Sequence, residues 1–241
     1  ILVPACLSLG VGILPYFPLA YGLLTGKSRR DAEPAAGTRL AVQRARWEGA
    51  DWDRIDALQA FANERGLTLQ ASMHNEGDRP APCFFGWHPY FRLGDTPLDT
   101  WELQIPAATT VATDARYIPL PGAAARKPLD ETPGPDFRAM RPVGPLKLDN
   151  AYVDLAADTD GLIRSRLRDP ASGLGLALWQ ERGVTLAFSA DTVSRDVRRS
   201  LAVEPMESWA DAFNRPDCAD AIRLEPGAQR SFRCGVEFET A

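Results

Sequence analysis

Short segments that alternate between apolar and other residues dominate the chain after about residue 70, and they constrain the fold more than any other feature. Leu174, Leu176 and Leu178 are separated by small residues, and a turn-forming sequence at residues 169–173 (DPASG) precedes them. A period of two with frequent turns is typical of antiparallel β-sheet. The 20 prolines and 19 glycines among 241 residues suit such turns. Seven segments are predicted as strands: residues 100–105, 109–112, 162–167, 174–179, 184–189, 200–203 and 229–238.

The start of the chain has a different character. No charged residue precedes Lys27, but three prolines interrupt this stretch and no basic segment comes before it. We therefore predict neither a transmembrane helix nor a signal peptide. Residues 12–17 are a short apolar run between turn residues and are predicted as a buried strand, followed by a loop at 18–27. Residues 28–49 are charged and show no clear periodicity.

One helix is predicted before the alternating segments begin. Residues 51–65 place apolar side chains at spacings of three and four, with Asp51 as the N-cap and Gly66 suited to a left-handed end. We place a boundary near residue 70. The predicted organisation is a small α/β segment at 1–70 and an antiparallel β-sandwich at 71–241.

His88 is the first residue that suggests chemistry. It directly follows Trp87, and Tyr90 and Phe91 lie two and three positions after it. Aromatic rings offer flat apolar surfaces on which the C–H face of a sugar ring can stack, and a histidine can donate a proton near neutral pH. The alternative is a histidine that is only part of an aromatic core.

Two carboxylates complete the candidate set. Glu204 follows the predicted strand at 200–203, and a carboxylate at the end of an apolar strand should be partly desolvated, which raises its proton affinity. Asp149 could hold sugar hydroxyl groups or could simply occupy a turn that leads into a strand. We expect His88 and Glu204 to converge on opposite edges of one cavity.

Three motifs in a fixed order carry a family resemblance: residues 86–91 (GWHPYF), 148–150 (LDN) and 203–207 (VEPME). With them, residues 71–241 resemble the second half of an aldose 1-epimerase (galactose mutarotase-like) domain. The resemblance implies a mainly β supersandwich, incomplete here. It also implies an isomerase that interconverts the α and β anomers of a hexose without a metal, nucleotide or covalent intermediate.

The resemblance also assigns roles to residues. Glu204 would act as the base that takes the proton of the anomeric hydroxyl, and His88 as the acid that protonates the ring oxygen. The hemiacetal would open and then close on the other face of the aldehyde. Asp149 would orient the substrate. Further substrate-binding residues implied by the family pattern are Trp87, Tyr90, Phe91 and Arg138.

A complete family domain has a further half before this part. That half supplies an arginine and a second histidine to the sugar site, and nothing in residues 1–70 matches it. A catalytically inactive carbohydrate-binding module is therefore an alternative function. Sheet edges left open by the missing half also favour pairing of two copies or aggregation.

Residues 14–19 (LPYFPL) and 22–27 (GLLTGK), with the helix at 51–65, resemble an internal stretch of an aldo-keto reductase. This resemblance implies a fusion, and a third alternative, an NADPH-dependent reductase fragment. The reductase tyrosine, lysine, aspartate and histidine come from strands that have no counterpart in this sequence, so we predict no cofactor. The weak candidates for contact with the NADPH pyrophosphate are Leu19, Gly22, Gly26 and Lys27.

Charge and cysteine content limit the partners. The net charge of −5 and pI of about 5.2 argue against nucleic acid and anionic membranes, which leaves a small sugar, free or phosphorylated, as the expected partner. The four cysteines are widely spaced, so we predict no metal site and expect free thiols in a reducing, cytoplasmic compartment. These are Cys6, Cys83, Cys218 and Cys234.

Overall fold

The computed structural model describes residues 29–34, 36–57, 66–132 and 135–240. The chain divides into two compact units, Ile1–Arg65 and Gly66–Ala241. The predicted strand at 12–17 and the loop at 18–27 lie outside the described residues. Among the residues that are described, no helix is long and apolar enough to cross a membrane.

The first unit contains two short helices that the sequence does not predict. They are α1 (Arg39–Val42) and α2 (Arg44–Glu48). The Arg44 guanidinium lies 2.8 Å from the Glu48 carboxylate one turn later and 2.6 Å from that of Glu33. Helices of four and five residues are too short to display a 3.6-residue period, and local ion pairs of this kind support them only weakly.

The predicted helix begins as expected. Residues 52–57 are helical (α3), and the Asp51 carboxylate accepts a hydrogen bond from the Arg54 backbone N–H at 3.3 Å. This is the N-cap arrangement that the sequence indicates. Residues 58–65, the rest of the predicted helix, lie outside the described residues.

The second unit is built from antiparallel strands. Within its described residues these are β1 (Leu67–His74), β2 (Ala81–Pro82), β3 (Tyr90–Phe91), β4 (Glu102–Gln104), β5 (Ala107–Val111), β6 (Arg126–Pro128), β7 (Arg141–Pro142), β8 (Asp149–Leu155), β9 (Ile163–Asp169), β10 (Leu174–Gln180), β11 (Val184–Phe188), β12 (Leu201–Met206), β13 (Arg223–Leu224) and β14 (Gln229–Thr240). One short α-helix and four 3-10 turns connect them: α4 (Ala219–Ile222), Leu98–Thr100, Gly122–Ala125, Leu129–Glu131 and Ala212–Asn214.

Two six-stranded sheets form the body of this unit. Sheet A has the order β1-β14-β10-β9-β4-β7, sheet B has the order β3-β12-β11-β8-β5-β6, and β13 pairs with β2 apart from both. Each of the seven predicted strands overlaps an observed one, so the mainly β, antiparallel fold is confirmed. The predicted pairing of two copies through open edges, such as that of β1, stays a prediction.

β1 and β8 are strands that the sequence analysis does not predict. β1 crosses the boundary placed near residue 70, so the sheet begins earlier than the sequence suggests. Gly66, which precedes β1, has a φ of +73°, the left-handed conformation predicted for it. A Cβ at this position would lie 1.9 Å from the Val236 carbonyl oxygen, so only glycine fits against β14 there.

The main core lies between the two sheets. Sheet A contributes alternate residues such as Leu103, Leu167 and Leu178, and sheet B contributes Tyr152 and Val203, all within one buried cluster. Burial of such side chains contributes roughly 1.5–3 kcal/mol each. A second buried cluster involves β5, β8, β11 and the segments around α4: Val111, Ala125, Val153, Val184, Trp209, Ala212, Cys218 and Ile222.

Candidate active site

The outer face of sheet B, away from the main core, carries the candidate residues. Tyr90 on β3 pairs with Ala202 on β12, Ala202 with Phe188 on β11, and Phe188 with Asp149 on β8. Directly opposed residues in an antiparallel sheet share a face, so these four form one row. Glu204 lies two residues beyond Ala202 and therefore projects from the same face.

The backbone before β3 places His88 beside Glu204. The Trp87 N–H donates to the Pro205 carbonyl oxygen at 3.0 Å, and Gly86 bridges Met206, so the β3–β12 register continues through the segment that precedes the regular strand. His88 thereby falls opposite Glu204, and its Nε2 lies 3.0 Å from Glu204 Oε1. The two groups are adjacent, which corrects the expectation that they occupy opposite edges of a cavity.

The GWHPYF segment divides its aromatic residues between two faces. His88 and Tyr90 project outward, whereas Trp87 and Phe91 are packed against the main core. Neither Trp87 nor Phe91 is among the residues that line the cavity. A period of two explains the division, because neighbouring residues in extended backbone point to opposite faces.

An open cavity of about 370 Å³ lies over this face of sheet B. Its volume falls within the range of roughly 300–1,000 Å³ that is usual for small-molecule sites. His88, Asp149 and Glu204 all contribute to its wall, so the structure brings these three predicted residues together. The other lining residues are Phe84, Leu186, Phe188, Thr192, Met206, Trp209 and Ala210.

Glu204 is a buried carboxyl group in the middle of β12. Its side chain is 6% exposed, and Oε1 accepts no hydrogen bond within the described residues. Burial, and secondly the nearby Asp149, raise the pKa of Glu204 to about 8. A protonated His88 at 3.0 Å would favour the ionised form, so the site balances two opposing effects.

The sequence predicts Glu204 at the end of a strand, but in the structure it lies inside β12. β12 continues through Pro205, which opposes Thr185 on β11 and accepts the Trp87 hydrogen bond on its other side. Proline is tolerated here because the N–H that it lacks would face the short edge strand β3. Desolvation of Glu204 therefore comes from its position inside the sheet, under the residues that line the cavity.

Asp149 begins β8 on the far side of the cavity floor. It is half-buried, and burial raises its pKa, while the nearby His88 acts in the opposite direction. Its backbone is fixed by the preceding pair, in which Leu148 N–H donates to Ser189 Oγ at 2.8 Å and Ser189 N–H donates to Leu148 O at 3.0 Å. A partly buried carboxyl group in this place can accept hydrogen bonds from a polyol.

The aromatic surfaces of the cavity come from residues that the sequence analysis missed. Phe84, Phe188 and Trp209 line it. The indole N–H of Trp209 donates to Cys218 Sγ at 2.7 Å, and the Arg215 guanidinium lies 4.9 Å from its ring centroid. The sequence signal for Phe188 was its place in a predicted strand, but the strand pairing that puts it next to Asp149 has no local signature.

Arg138 lies elsewhere in the structure. Its guanidinium contacts the carboxylates of Asp130 at 2.6 Å and Asp136 at 2.7 Å, and it does not line the cavity. The preceding residue, Phe137, is fully buried in the main core. The segment therefore secures the loop before β7 against the sandwich.

The remaining predictions concern cofactors and thiols. The weak NADPH candidates, Leu19 to Lys27, lie outside the described residues. Cys218 and Cys234 are buried free thiols and Cys83 is half-buried, whereas Cys6 is not described. No three histidine, cysteine or acidic side chains come close enough to hold a metal ion in the described ranges.

Glu204 should make the stability of the chain depend on pH. Its folded-state pKa of about 8 lies above the ordinary value of 4.5, so the folded state binds this proton more tightly than the unfolded state does. Stability is then fully present below the ordinary value and is lost as the pH rises through about 8. We expect Glu204→Gln, which cannot ionise, to match the parent at about pH 4 and to be more stable at about pH 9. Urea unfolding at both pH values measures the difference.

Glu207→Gln is the matched control for this measurement. The Glu207 side chain is also 6% exposed, but it pairs with Arg182 at 2.6 Å and accepts the Phe85 N–H at 2.9 Å. Removing that charge should destabilise the chain, because it breaks this close ion pair and leaves Arg182 with the more distant Glu181 carboxylate at 3.6 Å. A Glu204→Gln variant that loses stability at high pH as steeply as the parent would contradict the assignment.

Comparison with known proteins gives a family match over residues 58–237, to the model described as aldose 1-epimerase. No curated protein matches the sequence. The family match begins before the predicted boundary, in agreement with the early start of β1.

Several solved structures share the fold. A galactose mutarotase-like protein from Clostridium acetobutylicum has a TM-score of 0.60 at 14% identity, with 73% of this chain and 53% of that chain covered. A GalM/aldose epimerase homologue from C. elegans has a TM-score of 0.57 at 20% identity, covering 72% and 56%. The galactose 1-epimerase from Lactobacillus acidophilus has a TM-score of 0.54 at 16% identity, covering 72% and 54%. The chain thus spans little more than half the length of these relatives, and none of the matches described above is to an aldo-keto reductase.

Proposed function

This chain belongs to the aldose 1-epimerase family, and we propose that it interconverts the α and β anomers of a hexose by acid–base ring opening. The observation that carries the proposal is the contact between His88 Nε2 and Glu204 Oε1 at 3.0 Å, at the wall of a sugar-sized cavity. This contact does not have the geometry of a hydrogen bond, and Glu204 Oε1 accepts none from the other described residues, so the oxygen is available to a substrate hydroxyl.

The closeness of the two groups suits the chemistry. The anomeric hydroxyl and the ring oxygen of an aldose are bonded to the same carbon, so the base and the acid that serve them must be neighbours. Ionised Glu204 would take the hydroxyl proton, and protonated His88 would give its proton to the ring oxygen as the C1–O5 bond breaks. The open aldehyde then rotates about C1–C2, and the reverse transfers close the ring on the other face.

Asp149 and the apolar walls would orient the sugar. The Asp149 carboxyl group can accept hydrogen bonds from hydroxyls at one edge of the ring. Phe188 and Trp209 offer apolar surface to its C–H bonds. The reaction uses Glu204 in its ionised form beside the Asp149 carboxyl group, and this negative charge would repel a phosphate group. We therefore propose a neutral hexose as substrate in preference to a phosphorylated one. Galactose, named for the Lactobacillus relative, is the first substrate to test.

Polarimetry tests the activity directly. We expect the protein to accelerate the relaxation of freshly dissolved α-galactose or α-glucose above the spontaneous rate, with a smaller effect on glucose 6-phosphate. Mutarotation in buffer alone and in the presence of denatured protein provides the baseline. Relaxation at the baseline rate with all three sugars would contradict the proposal.

The second candidate is a sugar-binding domain without catalysis. The place of Asp149 favours it, since a half-buried carboxyl group in the cavity wall can bind sugar hydroxyls without any transfer of protons. Calorimetry distinguishes the two functions. Heat of galactose binding that depends on Asp149, together with spontaneous rates in polarimetry, would support the binding domain.

A further inference from the structure

The sequence suggests that Tyr90 binds the substrate, but in the structure its ring packs against His88. Tyr90 is 48% exposed and does not line the cavity, yet its ring lies against the imidazole of His88 with centroids 4.8 Å apart and planes inclined by 31°. On its other side, the ring meets Phe188 edge-on at 6.3 Å and 71°. Tyr90 therefore stands between the imidazole and an aromatic wall of the cavity.

The imidazole of His88 needs an aromatic neighbour to fix the orientation of its ring. Its side chain is 52% exposed and projects from backbone that precedes the regular part of β3. The charged groups that face it are Glu204 from β12, at 3.0 Å, and Asp149 from β8. These attract a protonated imidazole but do not fix the plane of the ring, whereas a stacked aromatic ring restricts rotation about the Cβ–Cγ bond.

The phenol of Tyr90 is poorly suited to proton transfer. Burial, and then the negative charges of Glu204 and Asp149, raise the pKa of Tyr90 above its ordinary value, so the hydroxyl stays protonated through the neutral range. The contact with His88 is made by the ring. The useful part of the side chain is thus its flat surface, and the hydroxyl is dispensable.

We propose that Tyr90 is a positioning residue, which holds the imidazole of His88 in the orientation that places Nε2 within 3.0 Å of Glu204 Oε1. The orientation itself stands independently of any activity, while its effect on rate rests on the proposed function. Phe188 contacts the ring of Tyr90, Tyr90 contacts the imidazole of His88, and His88 lies next to Glu204. The sugar would meet an acid that is already oriented.

Two substitutions distinguish the contribution of the Tyr90 ring from that of its hydroxyl group. Tyr90→Phe keeps the ring, and we expect kcat and KM within twofold of the parent. Tyr90→Leu removes the ring, and we expect kcat to fall about tenfold with KM unchanged, because a misdirected acid slows the chemical step without weakening binding. Tyr117→Leu is the matched control, since Tyr117 is 56% exposed and lies outside the cavity lining.

A spectroscopic measurement makes the test independent of catalysis. The chain has only two histidines, so ¹³C-labelled histidine gives two imidazole signals, and His74 serves as the internal reference. We expect the order parameter of the His88 ring to be equal in the parent and Tyr90→Phe, and to fall in Tyr90→Leu while that of His74 is unchanged. If mutarotation is absent but this pattern holds, the proposed function fails and the positioning role stands.

Three results would overturn the positioning role. A His88 ring equally ordered in Tyr90→Leu would show that Tyr90 does not hold it. A rise in KM at constant kcat in Tyr90→Leu would identify Tyr90 as a sugar contact instead. An equal loss of kcat in Tyr90→Phe and Tyr90→Leu would assign the effect to the hydroxyl.

Discussion

Glu204→Gln should reduce kcat for mutarotation by about 10²–10⁴-fold, the contribution that is typical of a general base. The amide has nearly the same shape as the carboxyl group but cannot accept the anomeric proton. Because the residue is buried and only its charge is removed, the fold should be retained. Initial rates of optical rotation, measured on α-galactose at saturating concentration, give the comparison.

The pH dependence of kcat/KM in the parent protein should also report the titration of Glu204. With the pKa of Glu204 at about 8, the ionised fraction and hence kcat/KM should rise with pH up to about that value. Glu207→Gln is the control, because it removes an equally buried carboxylate that lies outside the cavity lining. If Glu204→Gln keeps the parent's kcat, or if Glu207→Gln loses as much, the base has been assigned to the wrong residue.

His88→Asn should cause the second large loss, again about 10²–10⁴-fold in kcat. Asparagine preserves a polar side chain just before β3 but cannot protonate the ring oxygen. Removing the imidazole also leaves Glu204 without the group at 3.0 Å that favours its ionised form. Since acid and base act on one bond, the double variant with Glu204→Gln should lose little more than either single variant. Polarimetry of all three variants measures this non-additivity.

His74→Asn is the matched control for His88, because these are the only two histidines in the sequence. His74 ends β1 in sheet A, where its side chain is half exposed and lies 3.6 Å from Glu76. Its replacement should leave kcat unchanged. Losses from His88→Asn and Glu204→Gln that multiply in the double variant would mean that the two groups act in separate steps.

Much of the fold could be predicted from local sequence. Each of the seven segments predicted as strands overlaps an observed strand, because alternation reports directly which side chains face the core. β8 was missed because its residues, Asp149–Leu155, mix polar and apolar side chains on both faces of a central strand. β1 was missed although Leu67–His74 alternates apolar and polar residues, because the boundary near residue 70 falls inside it.

The candidate site was predicted in part. His88, Asp149 and Glu204 each lie in a short motif that is recognisable in the sequence, and all three line one cavity. The choice of aromatic contacts could not be made in the same way. Whether Trp87 or Tyr90 faces outward depends on the register between β3 and β12, which are more than a hundred residues apart in sequence.

The cavity walls show the same dependence on long-range pairing. Leu186 lies beside Glu204 only because β11 returns as β12 after the loop at 189–200. Trp209 reaches the cavity from the segment after β12, where Cys218 and Arg215 hold it. No spacing rule within the sequence relates these residues to His88.

The two-faced arrangement of the segment from Gly86 to Phe91 has a consequence for how such a chain can vary. Deleting or adding a single residue ahead of His88 would turn the imidazole into the hydrophobic interior and bring Trp87 out to the solvent side. A substitution of one residue for another does not change which positions point outward and which point inward. Length changes in related sequences should therefore accumulate in the loops flanking this hexapeptide and be excluded from within it.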